Sequence, residues 1–106
     1  MPSIHLRFLS RKEVDALAPE PAELLRAVED GLSAHGRGEV VMPPKSHLEL
    51  DAIFNGHFNI LAGYVGPLAR AGIKVVGDYV DNWRRDLPSE IALLTLYDPE
   101  SGVPCC

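Results

Sequence analysis

The tripeptide Gly36-Arg37-Gly38 divides the chain into two stretches of different hydrophobic period, and this change constrains the fold more than any other feature. Before it, Leu25, Val28 and Leu32 recur at helical spacing, with Glu23, Arg26, Glu29 and Asp30 on the other faces. Pro21 suits a first helical turn, where no backbone N–H is needed, and the glycines suit a stop, so a helix is predicted from Pro21 to that tripeptide. A shorter helix precedes it. Ser10 followed by Glu13 fits a capping box, Val14 and Leu17 share one side, and Pro19 disfavours a helical residue before it. Ile4 to Leu9 begins with an alternating stretch, which predicts a short strand running into that first helix.

After Gly38 the runs become short and apolar or alternating: Val40 to Met42, Ser46 to Leu50, Asn59 to Tyr64, Ile73 to Val76 and Glu90 to Tyr97. They read as strands, separated by turn-forming Pro43-Pro44, Asn55-Gly56, Gly66-Pro67 and the polar segment from Gly77 to Pro88. The predicted class is α+β, with two N-terminal helices packed on one face of a mainly antiparallel sheet. Asp98 to Gly102 is a turn leading to a final stub, Val103 to Cys106, which looks cut short.

A chain of 106 residues has the size of one domain, so residues 1–106 are expected to share a single core. With 46% apolar and 24% charged residues it should fold, unlike a disordered chain. The net charge of −5 leaves no basic excess to neutralise phosphates, so nucleic acid is an unsuited partner. No apolar run approaches the roughly 20 residues that span a bilayer, and no signal-peptide order opens the chain, so the expected location is cytoplasmic, away from membranes.

Catalytic motifs are scarce. Gly-x-Gly-x-x-Gly between a strand and a helix, which would cradle a dinucleotide, does not occur, and Gly36-Arg37-Gly38 lies in the opposite context. His5, His35, His47 and His57 are spread out and no pair has the spacing to share a helix face, so no metal site is expected. Cys105 and Cys106 are adjacent and cannot cross-link distant segments, and are read as space-filling. Lys74 stands in the apolar run Ile73-Lys74-Val75, where alternation sets it opposite its neighbours. An ammonium buried there needs an anion, although on spacing alone the simpler reading is a solvent-facing lysine. Lys45, after Pro43-Pro44, carries the same ambiguity. His57 can serve as proton carrier or anion contact, or be an exposed loop residue. Trp83, Arg84 and Arg85 lie in a turn-rich segment of the kind that holds binding residues or caps a core.

In order and spacing, Ala34 to Lys45, Phe58 to Tyr64, Ala71 to Gly77, Asp81-Asn82, Leu87-Pro88-Ser89 and Leu94 to Pro104 resemble the front portion of the ornithine cyclodeaminase/μ-crystallin family. The resemblance covers nearly the whole chain. It implies a domain that binds an amino-acid-like molecule and forms a homodimer whose sheets join into a barrel, with NAD or NADP held in full-length relatives by a following Rossmann domain. That second domain is absent from this sequence, so the chain alone is expected to hold no cofactor and to be inactive. The resemblance places Lys74 on the family's strand lysine, which contacts the substrate carboxylate or developing imine and can assist proton transfer. Lys45 falls near the substrate pocket, His57 is the residue nearest to the family's carboxylate-binding arginine, and Ser89 approaches the cofactor. A guanidinium is poorly replaced by imidazole, and Asp86 stands where the family commonly has glycine. The implied function is the front part of an amino-acid dehydrogenase or cyclodeaminase. The alternative is a non-catalytic module that binds a small ligand or a protein partner.

Overall fold

The computed structural model places residues Met1–Cys106 in three helices and five strands. Helix α1 is Arg11–Leu17 and α2 is Pro21–Gly36; β1 is Val40–Val41 and β2 Ser46–Glu49; a single-turn helix α3, Asp51–Phe54, leads into β3, Gly56–Val65. Strands β4, Arg70–Tyr79, and β5, Glu90–Tyr97, complete the sheet. Two short 3-10 turns, Gly66–Leu68 and Val80–Arg85, link β3 to β4 and β4 to β5.

The predicted helix ends hold. The backbone N–H of Glu13 donates to Ser10 Oγ at 3.3 Å, and α2 runs from Pro21 to Gly36. Both long strands extend further than their apolar runs suggest, because β3 and β4 pair over their full ten residues, from Gly56 opposite Tyr79 to Val65 opposite Arg70. Residues Ile4 to Leu9 form no strand, contrary to the expectation from alternation. Their one tie to the C-terminal segment is Arg7 N–H to the Cys105 carbonyl at 3.1 Å, and an alternating pattern without a ladder of such bonds remains irregular. Helix α3 was hidden behind the Asn55-Gly56 turn signal. Asn55 ends α3 with φ 53°, a left-handed conformation that asparagine tolerates, and its Nδ2 donates to Asp81 Oδ2 at 3.1 Å. A Cβ at Gly56 would lie 2.3 Å from the Tyr79 ring, so the strand start admits only glycine without a shift.

Every pairing is antiparallel. Strands β1 and β2 both pair with the outer edge of β3, at opposite ends, and the order continues β3, β4, β5. The last segment adds a partial sixth element: Pro104 bridges Tyr97, and Cys105 N–H donates to the Leu96 carbonyl at 2.8 Å. Both cysteines are free thiols. No helix is long and apolar enough to cross a membrane.

The expected single core is not closed within one chain. Only Ala34, Gly56 and Asn82 are buried. The accessible surface is 8611 Å² and the radius of gyration 16.5 Å. A self-contained protein of 11.6 kDa would show about 5,800 Å² and a radius near 13 Å. The excess is apolar: Leu25, Val28 and Leu32 on α2 are each more than 60% exposed, and Ile91 and Leu93 on β5 at least 50%. Helix α2 therefore has the amphipathic face the sequence predicts, but little of this chain packs against it.

The turn after β5 is held locally. Ser101 Oγ donates to Asp98 Oδ2, and Glu100 N–H donates to Asp98 Oδ1 at 3.1 Å, and these bonds, the Ser101 one foremost, hold the Asp98 carboxyl below its ordinary range. A depressed carboxyl contributes stability above its ordinary titration range and loses it as pH falls through the folded value. Ser101→Ala should therefore move the Asp98 titration upward, toward an ordinary aspartate. An NMR titration of the side-chain carboxyl in both proteins checks this, and identical midpoints would count against it.

Candidate functional site

Side chains directly opposite one another across paired strands share a sheet face. The register therefore defines two faces. One carries Ile60, Val75 and Leu93 in a single row, with Ile73 and Ile91 beside them. The other carries Leu61, Lys74 and Leu94 in a row. The Lys74 ammonium thus projects from the middle of the sheet on the face opposite its apolar neighbours, as alternation predicts, and it is exposed.

A second lysine stands directly before β2. Ser46 pairs with Ile60 at the end of the β2–β3 ladder, and Lys45 precedes Ser46 outside it; Leu61, the next residue of β3, has Lys74 opposite on β4. Were that ladder continued by one residue, the two lysines would flank Leu61 about two strand spacings or roughly 10 Å apart at the backbone. Long, flexible side chains from both can converge on one small anion above Leu61.

The expected cavity is formed only partly. Phe8, Val14, Ala92, Leu94 and Leu96 line a concavity of about 650 Å³ where the N-terminal segment and α1 lean over β5. Leu94 is the cross-strand neighbour of Lys74, so the lysine stands at the rim of this concavity and not inside it. One chain supplies a floor, two cations and one apolar wall.

The other candidates lie elsewhere. His57 is four residues from Leu61 along β3, about 13 Å from the lysine row. It sits among carboxylates: its Nδ1 is 3.6 Å from Asp51 Oδ1 and its Nε2 is 3.7 Å from Asp78 Oδ2. A substrate carboxylate would meet repulsion there, so the geometry does not bring His57 together with Lys74 and Lys45 as one anion site. Ser89 lies at the same end of the sheet as His57 and is exposed; its carbonyl accepts from Tyr79 N–H at 2.8 Å. Asn82 is buried and donates through Nδ2 to the Pro88 carbonyl at 2.8 Å, so it fixes the loop before Ser89. Trp83 is 69% exposed, with the Arg84 guanidinium 5.3 Å from its ring centroid, so it caps no core within this chain.

The residues present do not fit a dinucleotide site of the strand–turn–helix kind. That site needs a parallel βαβ unit with glycines opening a long helix, and all pairings here are antiparallel.

The sheet also brings together residues that linear spacing kept apart. Glu49, His57 and Asp78 lie directly opposite one another on β2, β3 and β4. His47 is two residues before Glu49 on the same face, with its ring 6.1 Å from that of His57. The expectation of scattered histidines considered one helix face, whereas these two meet across a strand pair. A His-x-Glu alternation on one strand was the signal available.

Comparison with known proteins agrees with this architecture. The chain is 36% identical over 103 residues to the nodulation efficiency protein NfeD of Rhizobium meliloti, covering 95% of this chain and 31% of that protein. It is 31% identical over 97 residues to an alanine dehydrogenase of Archaeoglobus fulgidus, covering 92% of this chain and 28% of that enzyme. Among solved structures, an archaeal alanine dehydrogenase dimer with bound NAD matches with a TM-score of 0.78 and 31% identity, over 89% of this chain and 28% of the other. The Δ(1)-pyrroline-2-carboxylate reductase of Thermococcus litoralis, in complex with NADH and L-proline, matches with a TM-score of 0.83 and 28% identity, over 91% and 29%. The chain thus spans about 30% of the length of these relatives. Residues 6–106 match the ornithine cyclodeaminase/mu-crystallin family, and the chain belongs to that family.

Proposed function

We propose that this chain is the substrate-binding and dimer-forming part of a nicotinamide-dependent enzyme acting on a small amino acid. The observation that carries the reading is Lys74 on the sheet face beside Leu61 and next to an apolar concavity, with Lys45 immediately before β2 as a second nearby cation. A small amino acid presents a carboxylate and a short apolar side chain, which this surface complements. Lys74 is the group at the reacting centre. Its ammonium holds the carboxylate, and in its neutral amine form it can take the proton that the substrate nitrogen gives up as the imine develops. Lys45 shares the anion. His57 lies too far along β3 for the same carboxylate. Ser89 remains the residue from which the cofactor is approached. The hydride chemistry belongs to NAD or NADP, as in the NAD-bound and NADH-bound relatives, and this chain supplies the substrate's seat.

The remaining walls come from a second copy and from protein beyond this segment. The apolar row of Ile60, Val75 and Leu93 needs a cover, and the self-complementary choice is the same face of another copy.

The reading is tested by NMR titration of the chain with L-alanine and L-proline, and with ethylamine and pyrrolidine, which lack the carboxylate. Saturable shifts of the Lys74 side-chain signals are expected with the amino acids and not with the amines. An equal response to both sets would remove the carboxylate site.

A further inference from the structure

The end of the sheet remote from Lys74 carries an excess of negative charge that the amino-acid site does not use. Glu49, Asp51 and Asp78 have no lysine or arginine within 4 Å; the cationic candidates near them are the imidazoles of His47 and His57. With both imidazoles neutral the cluster carries three negative charges. The buried acceptor Asn59 Oδ1, which lacks a hydrogen-bond partner, belongs to a residue opposite His47 on the same face. This corner of the molecule is rich in acceptors and short of cations.

We propose that Glu49, Asp51 and His57 bind a divalent first-row transition ion such as Zn²⁺. One ligand atom from each lies within 4.8 Å of the others; ligands on one tetrahedral ion at bonds of about 2.0–2.2 Å stand roughly 3.4 Å apart, so the two exposed carboxylate side chains must rotate inward to share it. Mixed imidazole and carboxylate donors suit a borderline transition ion better than calcium or magnesium, which favour oxygen alone. The orientation of His57 fits the assignment. Nδ1 faces Asp51 at 3.6 Å and Nε2 faces Asp78 at 3.7 Å, so Nδ1 is the nitrogen on the ligand side, and with an ion bound a small approach of Asp78 would let it accept a hydrogen bond from Nε2–H, as carboxylates behind metal-bound histidines do. His47, with Nδ1 3.7 Å from Glu49 Oε1, lies beside the group and outside it. The ligands are held by β2, α3 and β3, so the ion ties the short helix to two strands.

The experiment titrates ZnCl2 into the chain and follows the imidazole nitrogens by NMR, alongside calorimetry. Cys105 and Cys106 offer competing thiolates, so the same titration is run on the variant with both replaced by serine. A shift of His57 Nδ1 is expected in both proteins, with the affinity reduced at least tenfold in Asp51→Asn and in His57→Asn. Asp51 is exposed on a single-turn helix, so its amide variant keeps the fold if that of His57 does not. No His57 shift, or the same zinc affinity in wild type and Asp51→Asn, overturns the site. Loss of binding in the double-serine variant overturns it as well, by assigning the ion to the C-terminal thiols.

Discussion

Val75→Asp should convert the proposed dimer into a monomer that no longer unfolds cooperatively. Val75 is the centre of the row Ile60, Val75, Leu93, and this row is at least 36% exposed at each position in the single chain. Its surface area exceeds that of a compact protein of this mass by more than the roughly 800 Å² each partner contributes to a standard interface. Closing that face against a second copy brings the substituted carboxylate into an apolar seam without a counter-ion. The cost is several kcal/mol per buried charge, and a two-fold axis imposes it twice. A dissociation constant raised by at least a thousandfold, equivalent to about 4 kcal/mol, is expected. Light scattering reads the mass and circular dichroism the melting transition. Lys12→Asp, on the exposed outer side of α1, serves as the control that should change neither. A wild-type chain that is monomeric and melts sharply at micromolar concentration would contradict the argument, as would a dimer that survives Val75→Asp.

What could be read from the sequence follows from what each signal depends on. The ends of α2 were legible because a proline start and glycine stop act within a few residues, whatever the rest of the chain does. Strands β3 and β4 were recognisable by composition, but their lengths were not, since length depends on a partner strand: Arg70 and Asp78 join β4 because Val65 and His57 lie opposite. The failed strand at Ile4 to Leu9 has the same cause in reverse, a pattern without a partner to pair with. Lys74 was legible as a sheet-face cation because alternation is local, whereas its relation to Lys45 needed the β2–β3 register. The same holds for Glu49, His57 and Asp78, which are spread over 30 residues of sequence and stand in one row only after three strands align. Composition promised a closed core, and the structure places that apolar surface on outward faces, because composition counts apolar residues without saying how many chains share them.

The second large effect concerns the lysine pair. Lys74→Met should strongly weaken the saturable response to L-alanine, and Lys45→Met should weaken it less. A hydrogen bond to a charged group contributes about 1.5–3 kcal/mol, so one lost contact from Lys74 lowers affinity by roughly 10- to 100-fold. Methionine keeps the apolar stem over Leu61, which separates loss of charge from loss of packing. The two substitutions should not add. If both ammonium groups hold one carboxylate, removing Lys74 leaves little for Lys45 to contribute, and the double variant should bind no more weakly than Lys74→Met alone within a few tenths of a kcal/mol. Strict additivity would mean that the lysines hold different anions. An unchanged response in Lys74→Met would place the amino acid elsewhere, and the face that carries Lys74 and Leu61 would then be an ordinary solvated one.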